Sequence, residues 1–163
     1  MSSLTDKIDL LIKGIPLHQL EKAAEEITDS YRDHEWFLSD LHAKVYAVVR
    51  MPATKAVIER VFKEVPFAKS LLDFGSGPGT ASFATDIEQI TFVEHNPHFR
   101  QISQALGARG VFGELEQPHD ISLLSYSLGE VEKKKKLLDQ LWDLSLKALV
   151  IIEPGTPEGY KTF

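Results

Sequence analysis

The sequence predicts an α/β fold, a parallel sheet covered by helices and preceded by a helical extension, and three observations carry it. From Ser70 onward, short apolar runs alternate with segments of helical period. Those runs are continuous rather than alternating, as strands buried on both faces require. Before Pro66 the apolar spacing is helical throughout. Pro66 therefore divides the chain into a helical extension, residues 1–65, and a sheet domain, residues 66–163.

In the extension, "LTDKIDLLIKG" lines up Leu4, Ile8, Leu11 and Ile12, and Gly14 with Pro16 closes the helix. "LHQLEKAAEEITDSY" places Leu17, Leu20, Ala24, Ile27 and Tyr31 on one stripe, and "WFLSDLHAKVYAVV", from Trp36, repeats the spacing with Phe37, Leu41, Val45 and Val48. Three amphipathic helices need a surface to pack on. "RMPATKAVIERVFKEV" restarts a helix with Pro52 in its first turn, where a missing N–H is harmless.

Five strands follow: "SLLDF" (70–74), "QITFVE" (89–94), "RGVFG" (109–113), "DISLLSY" (120–126) and "KALVIIE" (147–153). Between them lie helical segments, namely "TASFATDI", "NPHFRQISQALG" with Asn96 as cap and Gly107 as stop, and "GEVEKKKKLLDQLWDLS".

The 163 residues are 43% apolar and 26% charged, the balance of a water-soluble domain. No apolar run approaches the roughly 18 to 20 residues that span a bilayer, and "MSSLTDKIDLL" lacks the pattern of a secretory signal. The expected setting is cytoplasmic or similarly reducing, with no membrane partner. Zero cysteines exclude disulfides, thiolate metal sites and cysteine nucleophiles. A net charge of −6 argues against a general nucleic-acid coat, though not against RNA held jointly with a partner. The single basic run, Lys133 to Lys136, reads either as a solvated helix face or as a phosphate contact.

The stretch "LLDFGSGPGT" (71–80) carries the chemistry. Glycine at every second position, Gly75, Gly77 and Gly79, weakens strand and helix alike unless the backbone must turn sharply or approach a ligand. It follows the first strand, where open parallel sheets bind ligands, and precedes a helix. The dinucleotide fingerprint is G-x-G-x-x-G. Here the spacing is G-x-G-x-G with Asp73 two residues ahead, the pattern of an S-adenosylmethionine (SAM) site. Asp73 could take the ammonium of the methionine moiety, and Glu94 in "FVEHNP" could accept both ribose hydroxyls. A nicotinamide-dependent oxidoreductase is the rival that the spacing disfavours. His95, His98 and His119 are not spaced as metal ligands and read as loop and surface histidines.

With "RMPAT" (50–54), "SLLDFGSGPGTAS" (70–82), "VEHNP" (93–97), "SYSLGE" (125–130) and "LVIIEPGTPEGY" (149–160) in one order, the chain resembles the methyltransferase-like proteins of the small ribosomal subunit found in bacteria and mitochondria. The resemblance runs from about residue 40 to the end. It implies a Rossmann-like class I SAM-dependent methyltransferase fold and a role at the small subunit, on or near ribosomal RNA. That role is either methylation or assembly without turnover. By position it implies that Asp73, Gly75, Ser76, Gly77 and Gly79 form the cofactor loop, with Glu94 as the ribose acid and Asn96 a further cofactor-binding residue. Ser125 would complete the cofactor-binding set; Tyr126 and the "EPG" of Glu153 to Gly155 would line the place where the methyl leaves, Tyr126 and Glu153 being the catalytic candidates. Arg50 reads equally as a carboxylate clamp or as a helix-end surface residue.

The chain also departs from that family. The cysteine-bearing, cluster-holding segment the resemblance would add is not found here, so cluster binding is not carried over. Only about ten residues follow "LVIIE", so the sheet is expected to stop at its fifth strand. An apolar edge strand is a template for pairing; "ALVII" is expected to be covered by the N-terminal helices, by a second copy or by a partner. The "(D/N)-P-P-(Y/F)" signature of exocyclic-amine methylation is replaced by "SYSLGE", in which Glu130 could accept a proton or simply start a helix.

Overall fold

The computed structural model describes residues 2–33 and 39–161. Trp36, Phe37 and Leu38, placed above in the third helix, lie outside the described residues, as does the Tyr31 side chain. Helix α1 (Leu4–Ile12) starts from a capping box in which Ser3 and Asp6 exchange bonds at 2.8 and 3.1 Å. Helix α2 (Leu17–Asp33) follows, then α3 (Asp40–Val49). Ser39 caps helix α3, its Oγ accepting from the His42 amide.

Helix α4 (Met51–Val61) carries Pro52 in its first turn, as expected, and buries Ile58 against the sheet. The strands are β1 (Ser70–Phe74), β2 (Gln89–Val93), β3 (Val111–Phe112), β4 (His119–Ser125) and β5 (Ser145–Ile152). Their order is β3-β2-β1-β4-β5 and every pairing is parallel. Chain direction across the sheet therefore reverses at β1, between β2 and β4, and the crevice above β1 is the natural ligand position.

Side-chain alternation gives the sheet two apolar faces. Leu71, Ile90, Phe92, Ile121, Leu123, Val150 and Ile152 pack with α4 on one. Leu72, Val93 and Leu124 meet Leu137 and Leu141 of α7 (Lys134–Leu144) on the other. Helix α6 (Pro97–Leu106) runs from its Asn96 cap to Gly107, left-handed at φ +71°, as the sequence indicates.

Several expectations change. The "TASFATDI" segment yields only α5 (Ala81–Ala84), because the Arg109 guanidinium donates to the carbonyls of Ser82 and Thr85, both at 2.6 Å. The third strand shrinks to two residues, since Gly110 lies so close to the Phe92 ring that a Cβ would sit 2.5 Å from it. The fifth begins at Ser145, directly after α7, where the Ser145 hydroxyl donates to Ser122 Oγ at 2.8 Å. His119 is buried, hydrogen-bonded to Thr91 Oγ1 at 2.8 Å, not a surface histidine.

Among the described residues, helices α1 to α3 pack on one another and on α6 rather than on β5. Ile8, Ala43, Ala47 and Met51 form one buried cluster with Ile102 and Leu106 of α6, and α2 packs on α3 through Ala23, Ile27 and Val45. Lys7 Nζ donates to the Leu106 carbonyl at 3.0 Å, joining α1 to the end of α6. A last turn, α8 (Pro157–Tyr160), follows β5.

Candidate functional site

All three loop glycines have positive φ: +66° at Gly75, +54° at Gly77 and +79° at Gly79. Their surroundings separate their roles. A Cβ on Gly75 would lie 2.7 Å from Ser127 Cβ, and one on Gly79 would lie 2.7 Å from Ala108 Cβ. A Cβ on Gly77 would meet nothing within 4 Å, although the residue is buried. Gly75 and Gly79 thus permit close packing of the protein on itself, whereas Gly77 borders open space inside the loop. The Gly75 amide donates to the Val93 carbonyl at 2.8 Å, tying the loop to β2.

Two polar side chains at this place are buried without a hydrogen-bond partner among the described residues: the Asp73 carboxyl at Oδ1 and the Ser76 hydroxyl. Asp73 is 1% exposed. Burial, and secondarily the charge of Glu94, push its carboxyl up to about 8. A buried carboxyl with an orphaned oxygen is expensive unless something else meets it.

Glu94 follows β2 and reaches back to the loop. Its Oε2 accepts from the Gly77 amide at 2.8 Å and its Oε1 from the Asn96 amide at 2.9 Å. Each oxygen retains an acceptor position. Asn96 is occupied as the α6 cap, its Oδ1 accepting from the amides of His98 and Phe99 at 2.9 and 3.4 Å.

The ends of β4 and β5 form the other side. Ser125 closes β4, half-buried. Tyr126 is the one non-glycine residue at positive φ among the described residues, +58°, held there by its amide donating to the Ile152 carbonyl at 2.8 Å. The Glu153 Oε1 accepts from the Leu128 amide at 3.0 Å and so fixes the 3-10 turn Leu128–Glu130. Partial burial raises the Glu153 carboxyl, offset in part by the amides of Leu128 and Gly129 and by the charge of Lys134. The Tyr126 hydroxyl is raised by burial and by Glu153. Glu130 is exposed along one side, yet desolvation of its carboxyl, then the charges of Glu94 and Glu153, push it up to about 7.

The sequence candidates therefore meet in one mouth above β1, β2, β4 and β5. Asp73, Ser76, the glycines and Glu94 stand at the ends of β1 and β2, and Tyr126, Glu130 and Glu153 at or beyond the ends of β4 and β5, with Glu130 close enough to Glu94 and Glu153 to feel their charge. Ser127 is a residue that sequence reasoning missed: its hydroxyl donates to the Phe74 carbonyl at 3.1 Å and its Cβ fills the space Gly75 leaves. Its only signal is its place two residues after β4. Arg50 stands at the junction of α3 and α4 and caps both. Among the described residues no three His, Cys, Asp or Glu are grouped to hold a metal, and no helix is long and apolar enough to cross a membrane.

Residues 40–163 match the model of the protein family described as mitochondrial small ribosomal subunit Rsm22. The range coincides with the resemblance drawn from "RMPAT" to "EPGTPEGY". Comparison with curated proteins finds no match. Among solved structures, a Methanococcus maripaludis protein described as an S-adenosyl-L-methionine-dependent methyltransferase superposes with a TM-score of 0.57 at 17% identity, covering 72% of this chain and 64% of that one. CalS10, an amino pentose methyltransferase from Micromonospora echinaspora solved with SAM bound, gives 0.54 at 19% identity, covering 77% and 60%. Both likenesses establish the Rossmann-like methyltransferase fold, and the chain spans less than two thirds of either length.

Proposed function

Because the chain belongs to the mitochondrial small ribosomal subunit Rsm22 family, we propose that it binds SAM above β1 and serves as a methyltransferase acting on or near the RNA of the small ribosomal subunit, in the compartment that holds those subunits. One observation carries the cofactor assignment: Asp73 is a fully enclosed carboxyl whose Oδ1 has no partner among the described residues, beside a glycine loop with room at Gly77.

The donor set suits SAM. The Asp73 carboxyl would receive the ammonium of the methionine moiety, directly or through water, and be held ionised by it. The Ser76 hydroxyl is a further unmet polar atom in the same loop. The remaining acceptor positions of Glu94 would take the ribose hydroxyls, with Asn96 and Ser125 completing the lining. When bound, SAM would supply an electrophilic methyl group to an acceptor's lone pair, the methyl–sulfur bond being the one given up.

What the protein adds is orientation and a place for the proton. Tyr126, held at positive φ and packed in part against the sheet core, would help to orient an acceptor at the end of β4. Glu130, raised to about 7, takes the acceptor's proton, and Glu153 holds the turn that carries it. Residues 66–163 constitute the cofactor domain, and residues 1–65 an extension that braces α6.

Calorimetric titration with SAM and with NAD tests the cofactor. SAM binding without NAD binding is expected; the reverse overturns the assignment. Labelled SAM offered to small subunits tests turnover. A second reading, a SAM-binding assembly factor, is favoured by "SYSLGE" in place of the amine-methylation signature after β4. Binding without methyl incorporation on any assembly intermediate would select it.

A further inference from the structure

Lys133 to Lys136 are four successive cations on an acidic protein, and the fold does not account for them. They occupy the cap and first turn of α7. There the helix macrodipole favours acids, and like charges three or four residues apart repel. Relief is slight: Lys135 pairs with Asp139 at 2.7 Å, both largely exposed, while Lys133 and Lys136 project into solvent without an ion-pair partner among the described residues. The packing of α7 rests on Leu137 and Leu141, one turn further on.

Their position is specific. The run starts three residues after Glu130, the end of the 3-10 turn that the Glu153 carboxyl holds through the Leu128 amide at 3.0 Å, so it borders the mouth in which Glu94, Glu130 and Glu153 collect. A polyanion approaching that mouth meets carboxylates first. The lysine run supplies the local opposite sign, on a shallow open groove that also includes Glu132, Asp139, Gln140 and Asp143. A lipid surface is a poor match, since the apolar face an interfacial helix would insert is buried against the sheet.

We propose that Lys133–Lys136 grip the phosphate backbone of an RNA strand and lead it to the mouth above β4 and β5. The proposal rests on the RNA-directed reading above. Lysines suit this task as flexible point charges that neutralise phosphates without reading sequence.

The experiment compares the full chain with K133Q/K134Q/K135Q/K136Q, using a labelled 30-nucleotide single-stranded RNA of mixed sequence across a salt series, with SAM titrated into the same preparations. The variant is expected to keep its melting temperature and SAM affinity. Its RNA affinity should fall on the order of tenfold or more near 0.1 M salt, and its salt slope should flatten by about 0.7 for each lysine that touches a phosphate of the single strand. K133R/K134R/K135R/K136R should restore binding. Equal affinity and slope for wild type and the glutamine variant overturn the proposal. So does wild-type binding to polyglutamate with none to RNA, which would assign the run to an acidic protein. Loss of SAM binding in the wild type would instead overturn the function proposed above, leaving the RNA result to be read by itself.

Discussion

Glu94, from the end of β2, accepts the Gly77 amide at 2.8 Å and thereby holds the middle of the glycine loop in its left-handed turn. The same carboxylate accepts the Asn96 amide at 2.9 Å, so one side chain fixes both the loop and the entry to α6. Glu94→Ala removes both acceptors and leaves two partly buried amides unmet, a loss of about 2 to 4 kcal/mol on the usual cost of such groups. Glu94→Gln keeps one acceptor oxygen and should lose about half of that. Urea denaturation separates the two variants. In the proposed function both should also lose SAM affinity, the alanine by 100-fold or so; equal stability of the two variants would refute the double-acceptor role.

The three glycines should respond differently to alanine. Gly75→Ala and Gly79→Ala place a methyl 2.7 Å from Ser127 and Ala108 in backbone that already disfavours a side chain. Each is expected to lose about 2 to 4 kcal/mol, combining positive φ with overpacking. Gly77→Ala meets nothing within 4 Å, so only the conformational cost of about 1 to 2 kcal/mol applies. Thermal melts would rank them, and Gly77→Ala, folded but obstructed, should be the variant whose ligand affinity falls more than its stability.

The outer edge of β5 predicts self-association. Leu146 is 65% exposed on this strand and Trp142 68% exposed on α7 just before it. Unpaired edge backbone next to apolar side chains invites a second strand. Leu146→Lys should shift sedimentation toward monomer with little change in melting temperature, because the leucine is already in water. A monomer at high concentration in both forms would remove the second copy as the edge's partner.

The strand positions and helix ends were legible because they rest on local chemistry. "SLLDF" runs over the observed β1, residue for residue, and Asn96 and Gly107 mark the ends of α6 in cap chemistry alone. What sequence could not supply depended on contacts between distant residues. Helix α5 ends where it does because of Arg109, 24 positions beyond Thr85. The extension lies on α6 because Ile8 and Ala43 meet Ile102 and Leu106, which no spacing along the chain reveals. Glu94 was legible as an acid at a strand end, but not as the clamp on Gly77. The role of Ser127 could not be read, since it is to fill the space left by a glycine 52 positions earlier in the chain.

Asp73 gives the protein a pH dependence of definite sign. Its carboxyl lies at about 8 in the folded chain against 3.8 as the ordinary value. A group raised on folding binds more protons in the native state than in the unfolded one, so stability from it is full below about 4 and declines as pH rises to about 8. Glu130, raised to about 7, adds in the same direction. The ligand-free protein should therefore melt lower at pH 8 than at pH 5, and Asp73→Asn, which stays neutral, should flatten most of the difference. Binding of a ligand that brings an ammonium reverses the preference of this carboxyl, because the nearby cation favours the ionised form. SAM affinity should then rise with pH up to about 8, with close to one proton released per ligand at pH 6.5. Calorimetry in two buffers of different ionisation enthalpy counts that proton directly. Affinity that is flat with pH, with no proton released and Asp73→Asn binding as well as wild type, would remove Asp73 from the ammonium and leave its buried orphaned oxygen without the partner proposed for it.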